Sequence, residues 1–92
     1  MRVLKKWTPI SVSVAQASIE ILASNGLRKF ATISNSTANG VWLGLGVPAV
    51  VGQGEYIPAG GCYVFDEDNL WQGAVNGITS AGTNVIAAGD WQ

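Results

Sequence analysis

Glycine, asparagine and proline recur at such short intervals along this chain that no helix of ordinary length fits between them. Twelve Gly, six Asn and three Pro punctuate runs rich in Val, Ile, Thr and aromatic residues, the pattern of many short strands joined by tight turns. Val12 and Val14 alternate with Ser11 and Ser13, and Ile19, Ile21 and Ala23 alternate with Ser18, Glu20 and Leu22. Both runs have the period of two expected of half-buried strands.

Asn25-Gly26 and Asn39-Gly40 are dipeptides that favour the positive φ angles of a type I′ hairpin turn. The first predicts a hairpin joining Ile19–Ser24 to Arg28–Ser36. The second opens a strand over Val41–Gly46, with Val41, Leu43 and Leu45 on one face and Trp42, Gly44 and Gly46 on the other. Glycines beside Trp42 leave a shallow bed for its ring or for another backbone. Pro48, Gly52, Gly54, Pro58 and Gly60-Gly61 break the middle into short, edge-like pieces. Strands follow over Cys62–Asp66, Trp71–Thr79 and Asn84–Ala88, with a turn at Ala81-Gly82 between the last two. About seven or eight short strands predict an all-β fold: an antiparallel β-sandwich, jelly-roll or Ig-like, or a small barrel. A parallel βαβ plan is excluded.

The 92 residues are 48% hydrophobic and 12% charged, which suits one folded domain. A chain this short buries only about 60% of the surface that its unfolded form exposes, so its core is thin and association with neighbours would supplement it. Net charge is −1, yet the charges are unevenly placed. Arg2, Lys5 and Lys6 stand in the first six residues, and from Thr8 onward only Arg28 and Lys29 face six acids, a balance of −4. Residues 1–9 read as an extended basic arm and residues 10–92 as a single sandwich domain, with Pro9 separating arm from first strand. The net charge argues against a protein whose whole surface is tuned to nucleic acid, and no nucleic-acid partner is expected. No run approaches the roughly 20 apolar residues that cross a bilayer as a helix. Ile10–Ala17 lacks the unbroken apolar stretch of a secretory signal, so a soluble protein made in the cytoplasm, without a membrane partner, is expected.

The absence of His removes Ser-His and Cys-His nucleophile pairs, and Cys62, the only cysteine, reads as a small buried hydrophobe. Asp66, Glu67 and Asp68 are the only carboxylate cluster, but adjacent residues on a turn spread into water instead of converging across a cleft. No catalytic residue and no cofactor is expected. Asp66, Asp68 and Asn69 offer hard oxygen ligands for calcium, without the spacing or the Gly of an EF-hand, and a solvated turn is the favoured reading. Four tryptophans exceed what so small a core would use. Trp42 and Trp71 are read either as core or as an interface or glycan platform, while Trp7 and Trp91 are expected to contact a neighbouring subunit. Arg2, Lys5 and Lys6 would steer the arm onto an acidic partner surface with Leu4 and Trp7 as anchors, the alternative being a solvated terminus.

The order of parts carries a resemblance: Asn25-Gly26, Arg28–Ser36, Val41-Trp42-Leu43-Gly44, Ile57-Pro58-Ala59-Gly60-Gly61, Trp71–Ile78, Ser80-Ala81-Gly82-Thr83, and the strand over Asn84–Ala88. From about Val12 to Asp90 the chain resembles small all-β virion proteins of tailed bacteriophages that decorate or cement the capsid. The resemblance implies a non-enzymatic structural protein of the virion, made in the host bacterial cytoplasm. It would bind the major capsid protein or another virion protein on the outside of the head, as a homo-oligomer, a trimer in many such proteins. Similar domains serve in tails and fibres, where exposed Trp residues contact host glycans. The acidic turn and the basic arm have no counterpart in the pattern.

Overall fold

The computed structural model describes residues 7–92, which form eight β-strands and no helix. They are β1 (Trp7–Val14), β2 (Ile19–Leu22), β3 (Phe30–Ser34), β4 (Val41–Leu45), β5 (Glu55–Ile57), β6 (Cys62–Phe65), β7 (Val75–Ile78) and β8 (Asn84–Trp91). One four-stranded sheet has the order β1-β8-β3-β6 and the other β2-β7-β4-β5. Every pairing is antiparallel. Pairing β1 with β8, β2 with β7, β3 with β6 and β4 with β5 makes one long ribbon, closed at β4–β5 and folded so that successive pairs fall in alternate sheets. That wrapped ribbon is the jelly-roll form of the sandwich; the Ig-like arrangement and the closed barrel are set aside.

Alternate residues of the two sheets meet between them. Val14, Ala31, Ile33, Phe65 and Ile86 come from the first sheet, and Ile21, Leu22, Val41, Leu43, Ile57 and Val75 from the second, none more than 3% exposed. Burying each large aliphatic or aromatic side chain contributes about 1.5–3 kcal/mol, so these few residues carry most of the driving force of a small domain.

Three local expectations give way to this topology. Among the described residues no non-glycine has a positive φ, and neither Gly26 nor Gly40 does, so Asn25-Gly26 and Asn39-Gly40 are not type I′ hairpin turns. The strands they connect belong to opposite sheets, and an arch across the sandwich does not need the twist of a two-residue hairpin. Asn25 instead makes an Asx turn, its Oδ1 accepting from the Leu27 amide at 3.0 Å. Gly82 does take a left-handed φ of 69° in the turn before β8, but β7 and β8 also lie in different sheets. The strand expected over Trp71–Thr79 pairs only from Val75 to Ile78. Residues 71–74 are a loop whose carbonyls accept from other loops instead of from a neighbouring strand.

Two parities also shift. A register irregularity between Glu20 and Leu22 lets Ile21 and Leu22 both point inward, while Ile19 is exposed; a bulge adds one residue and breaks strict alternation. Cys62, expected in the core, is exposed. Tyr63 pairs with Ile33 and Phe65 with Ala31 on the inward side of the sheet, so Cys62, opposite Ser34, faces out. Finally, β1 starts at Trp7 and runs through Pro9, both assigned to the arm from sequence. Proline is tolerated there because β1 is an edge strand and its outer N–H positions have no partner to lose. Residues 1–6, with the expected partner contacts Arg2, Leu4, Lys5 and Lys6, lie outside the described residues.

Candidate functional site

The outward face of the β1-β8-β3-β6 sheet is turned away from the core. The register fixes its layout in rows across the strands. Ser13 lies beside Val85; Ser11, Ala87, Ser34 and Cys62 form the next row; Pro9, Gly89, Thr32 and Val64 the third; Trp7, Trp91 and Phe30 close one end. None of these thirteen side chains carries a charge. An antiparallel sheet with one face in water ordinarily presents polar residues there. Here the polar groups are short hydroxyls, one thiol and the indole N–H groups, while Val85, Val64 and Trp7 are exposed at 57, 37 and 39%.

The aromatic end is built by cross-strand pairing. Trp7 and Trp91 are register partners, with ring centroids 4.5 Å apart and planes inclined by 32°, and Phe30 is the partner of Trp91 on its other side. The Trp7 indole lies flat along Gly89, where any Cβ would fall inside the ring. Glycine at this position is therefore what lets an indole cover the sheet. Trp7 and Trp91, both expected from sequence at a contact with a neighbouring subunit, pair with each other and form one cluster at the sheet's edge.

The other two tryptophans part company. Trp71 packs against the core, its Nε1 donating to the Ala74 carbonyl at 2.9 Å and its ring lying against Gly46 and Gly73. The half-buried indole is wedged in place with its N–H satisfied, which fits the core side of its expected roles. Trp42 lies on the outward face of the second sheet opposite Tyr56, with ring centroids 4.6 Å apart. Gly44 beside it does provide a bed, and another backbone occupies it: the Val47–Ala49 segment crosses so closely that a Cβ would collide with the Val47 carbonyl. Asn76 Nδ2 holds that segment by donating to the Val47 carbonyl at 2.7 Å, and the Ala49 amide donates to Ser18 Oγ at 2.8 Å.

The acidic turn closes on itself. Asp66 Oδ1 accepts from the Asp68 amide at 2.9 Å, Asn69 Oδ1 accepts from the Asp66 amide at 2.8 Å, and Asn69 Nδ2 donates to the Val64 carbonyl at 3.0 Å. Asp66 and Asn69 thus brace the backbone of the turn, and among the described residues no group of three His, Cys, Asp or Glu side chains gathers around a point. The turn behaves as the solvated cap of β6. Tyr63, just before it, has its phenol pushed above the usual range by burial first and by Glu55 second, with a hydrogen bond from Asn69 acting the other way.

What sequence reasoning did not foresee is a buried cation. Arg28 is fully enclosed and every arm of its guanidinium is used. Nε pairs with Asp90 Oδ2 at 3.1 Å, Nη1 donates to the Trp71 and Gly73 carbonyls at 2.8 and 3.0 Å, and Nη2 donates to the Ala23 carbonyl at 2.6 Å. Asn25 Nδ2 donates to the same Asp90 oxygen at 3.1 Å. The planar fork reaches three segments at once, which a lysine would not do. It ties the arch 23–28 and the loop 71–73 to the end of β8, at the residue next to Trp91 in sequence. Next to this pin, an open groove of about 450 Å³ runs between the edge strands β1 and β2, with Ile10, Ile21 and Leu22 as its apolar lining and Glu20 and Ser24 among its polar lining.

No protein-family model, no curated protein and no solved structure matches this chain.

Proposed function

We propose that this chain is a structural virion protein, a capsid decoration or cement protein that binds the outer surface of a tailed-phage head through the uncharged face of its β1-β8-β3-β6 sheet. The observation that carries the reading is that face: thirteen outward positions without a charge, ending in the Trp7–Trp91–Phe30 cluster. Exposed apolar surface of this extent marks an interaction site, and aromatic anchors at its end are the residue types that dominate binding energy. A pre-ordered sheet loses little conformational freedom on docking. The resemblance to small all-β virion proteins supplies the partner class; the jelly roll does not, because one fold hosts many functions. The role needs no catalytic group, since holding a shell together requires only fit and buried area.

Purified particles probed with an antibody to the chain test this reading, with labelling expected on the head. Ala87 stands in the centre of the face and is exposed, so Ala87→Lys should leave the fold intact and weaken attachment about tenfold or more by burying an unpaired charge. Val51→Lys, on an exposed loop elsewhere, should attach like the parent. Absence of the protein from particles, or equal attachment of both variants, defeats the proposal.

A second reading has one observation in its favour. Trp42 and the exposed Tyr56 form a two-ring surface on the opposite sheet, and aromatic faces stack on sugars, which would suit a tail or fibre component contacting host glycans. A glycan array separates the two readings: a defined sugar signal lost in Trp42→Ala favours this one, and a blank array favours the first.

A further inference from the structure

We propose that the groove between β1 and β2 is the acceptor for the basic segment Arg2–Lys6 of a second copy of this chain, so that copies join head to tail by exchange of arms. The groove lies where β1, the edge of one sheet, runs beside β2, the edge of the other. Among the described residues neither edge has a strand partner on that side, and an unpaired edge is the usual template for adding an extended segment. The half-buried Ile10 and the exposed Ala23 give the groove apolar surface over the core residues Ile21 and Leu22, and Glu20 adds an exposed carboxylate.

Three properties of residues 1–6 match this site. Val3 and Leu4 supply apolar side chains between the cations Arg2, Lys5 and Lys6. Six residues would reach about 20 Å if fully extended. The charges also complement each other over the whole molecule. The first six residues carry +3, whereas residues 7–92 hold two cations against six acids, and one of those two cations, Arg28, is already enclosed with Asp90.

The occupant is a second copy because of chain direction. Residues 1–6 lead into Trp7, and the groove runs alongside Thr8 and Ile10 of the very strand that follows. To fill its own groove, the segment would have to reverse immediately before Trp7. It contains no Gly, Pro, Asn, Asp or Ser to make that turn, and Lys5-Lys6 stands where the turn would fall. Exchange between copies is a heterologous contact, which closes into a ring if the rotation allows. It uses a surface distinct from the uncharged sheet face and does not depend on the head-binding role.

The test is disulfide trapping in the full chain, with Cys62→Ser throughout to remove the exposed native thiol. One protein carries Val3→Cys and another Ser24→Cys. Mixed under mild oxidation, they should give a covalent dimer that needs both partners, at least about tenfold more than Val3→Cys gives with Val51→Cys, an acceptor on an exposed loop elsewhere. Glu20→Lys should weaken self-association in sedimentation about two- to fivefold, the range of one exposed ion pair and more at low salt. Trapping no better than with the Val51→Cys control overturns the proposal. So does a chain carrying both Val3→Cys and Ser24→Cys that closes on itself without forming oligomers at any concentration.

Discussion

At the scale of single residues, the most consequential side chain is Arg28, whose guanidinium meets a carboxylate and three carbonyls in an enclosed site. Arg28→Met keeps the volume but leaves Asp90 buried without its cation and three carbonyls without donors. The expected loss is about 3–5 kcal/mol of stability by urea denaturation, and Arg28→Lys should recover little of it. A loss below about 1 kcal/mol would mean that water replaces the guanidinium. Asn35 is the corresponding pin at the other end of β3: its Nδ2 donates to the Asn39, Ile57 and Pro58 carbonyls, and its Oδ1 accepts from the Thr37 amide and hydroxyl. Asn35→Ala orphans buried groups on two arches and should cost about 2–3 kcal/mol in the same assay. Tyr63 gives a pH signature. Its phenol titrates higher in the folded chain than in the unfolded one, so the folded state retains the proton longer. Its contribution is fully present below the unfolded pKa near 10 and is lost as pH rises through the folded value. Tyr63→Phe should therefore flatten the decline of melting temperature above pH 10; an unchanged slope would contradict the assignment.

At the scale of elements, alternation in β1, β3 and β8 sorts side chains between a core and a surface with no charge on it, and the connections decide how those strands meet. Asn76 and Ser18 hold the segment after β4 down over Gly44, so the outward face of the second sheet is partly shielded by its own chain. Gly44→Ala places a methyl against the Val47 carbonyl and the Ala49 amide, and lifting that segment should cost about 1–3 kcal/mol. Gly26→Ala serves as the comparison, because nothing lies near its Cβ position and its φ is ordinary; it should change stability by less than about 0.5 kcal/mol. A Gly44→Ala protein as stable as the Gly26→Ala protein would show that the covering segment is not closely held. On the first sheet, Gly89→Ala should displace the Trp7 indole and alter tryptophan near-UV circular dichroism while leaving the far-UV spectrum in place.

At the scale of the whole molecule, the ribbon joins the ends of the chain. Trp7 is the register partner of Trp91, so the pairing that completes the first sheet must wait for the most distant segments to meet. Sandwiches of such non-local topology fold in milliseconds to seconds, and stopped-flow refolding followed by tryptophan emission should fall in that range; submillisecond recovery would mean that β1–β8 pairing is not part of the folding step. Sequence alone determined the class. Periodicity in Val12–Val14 and Val41–Leu45, with breakers too frequent for helices, left no other architecture than many short antiparallel strands, because strand parity and turn chemistry act over two to four residues. No local signal shows that Trp7 pairs with Trp91, whereas the turn over Asp66–Asn69, favoured from sequence, is present and closed by its own side chains. Tertiary structure alone decided the rest: that Asn25-Gly26 bridges two sheets instead of closing a hairpin, that Leu22 turns inward at a bulge and Cys62 outward, that Arg28 is buried, and that one face is left without charge. Each of these depends on which strand lies beside which, and pairing between residues up to 84 positions apart leaves no mark on the local pattern of either.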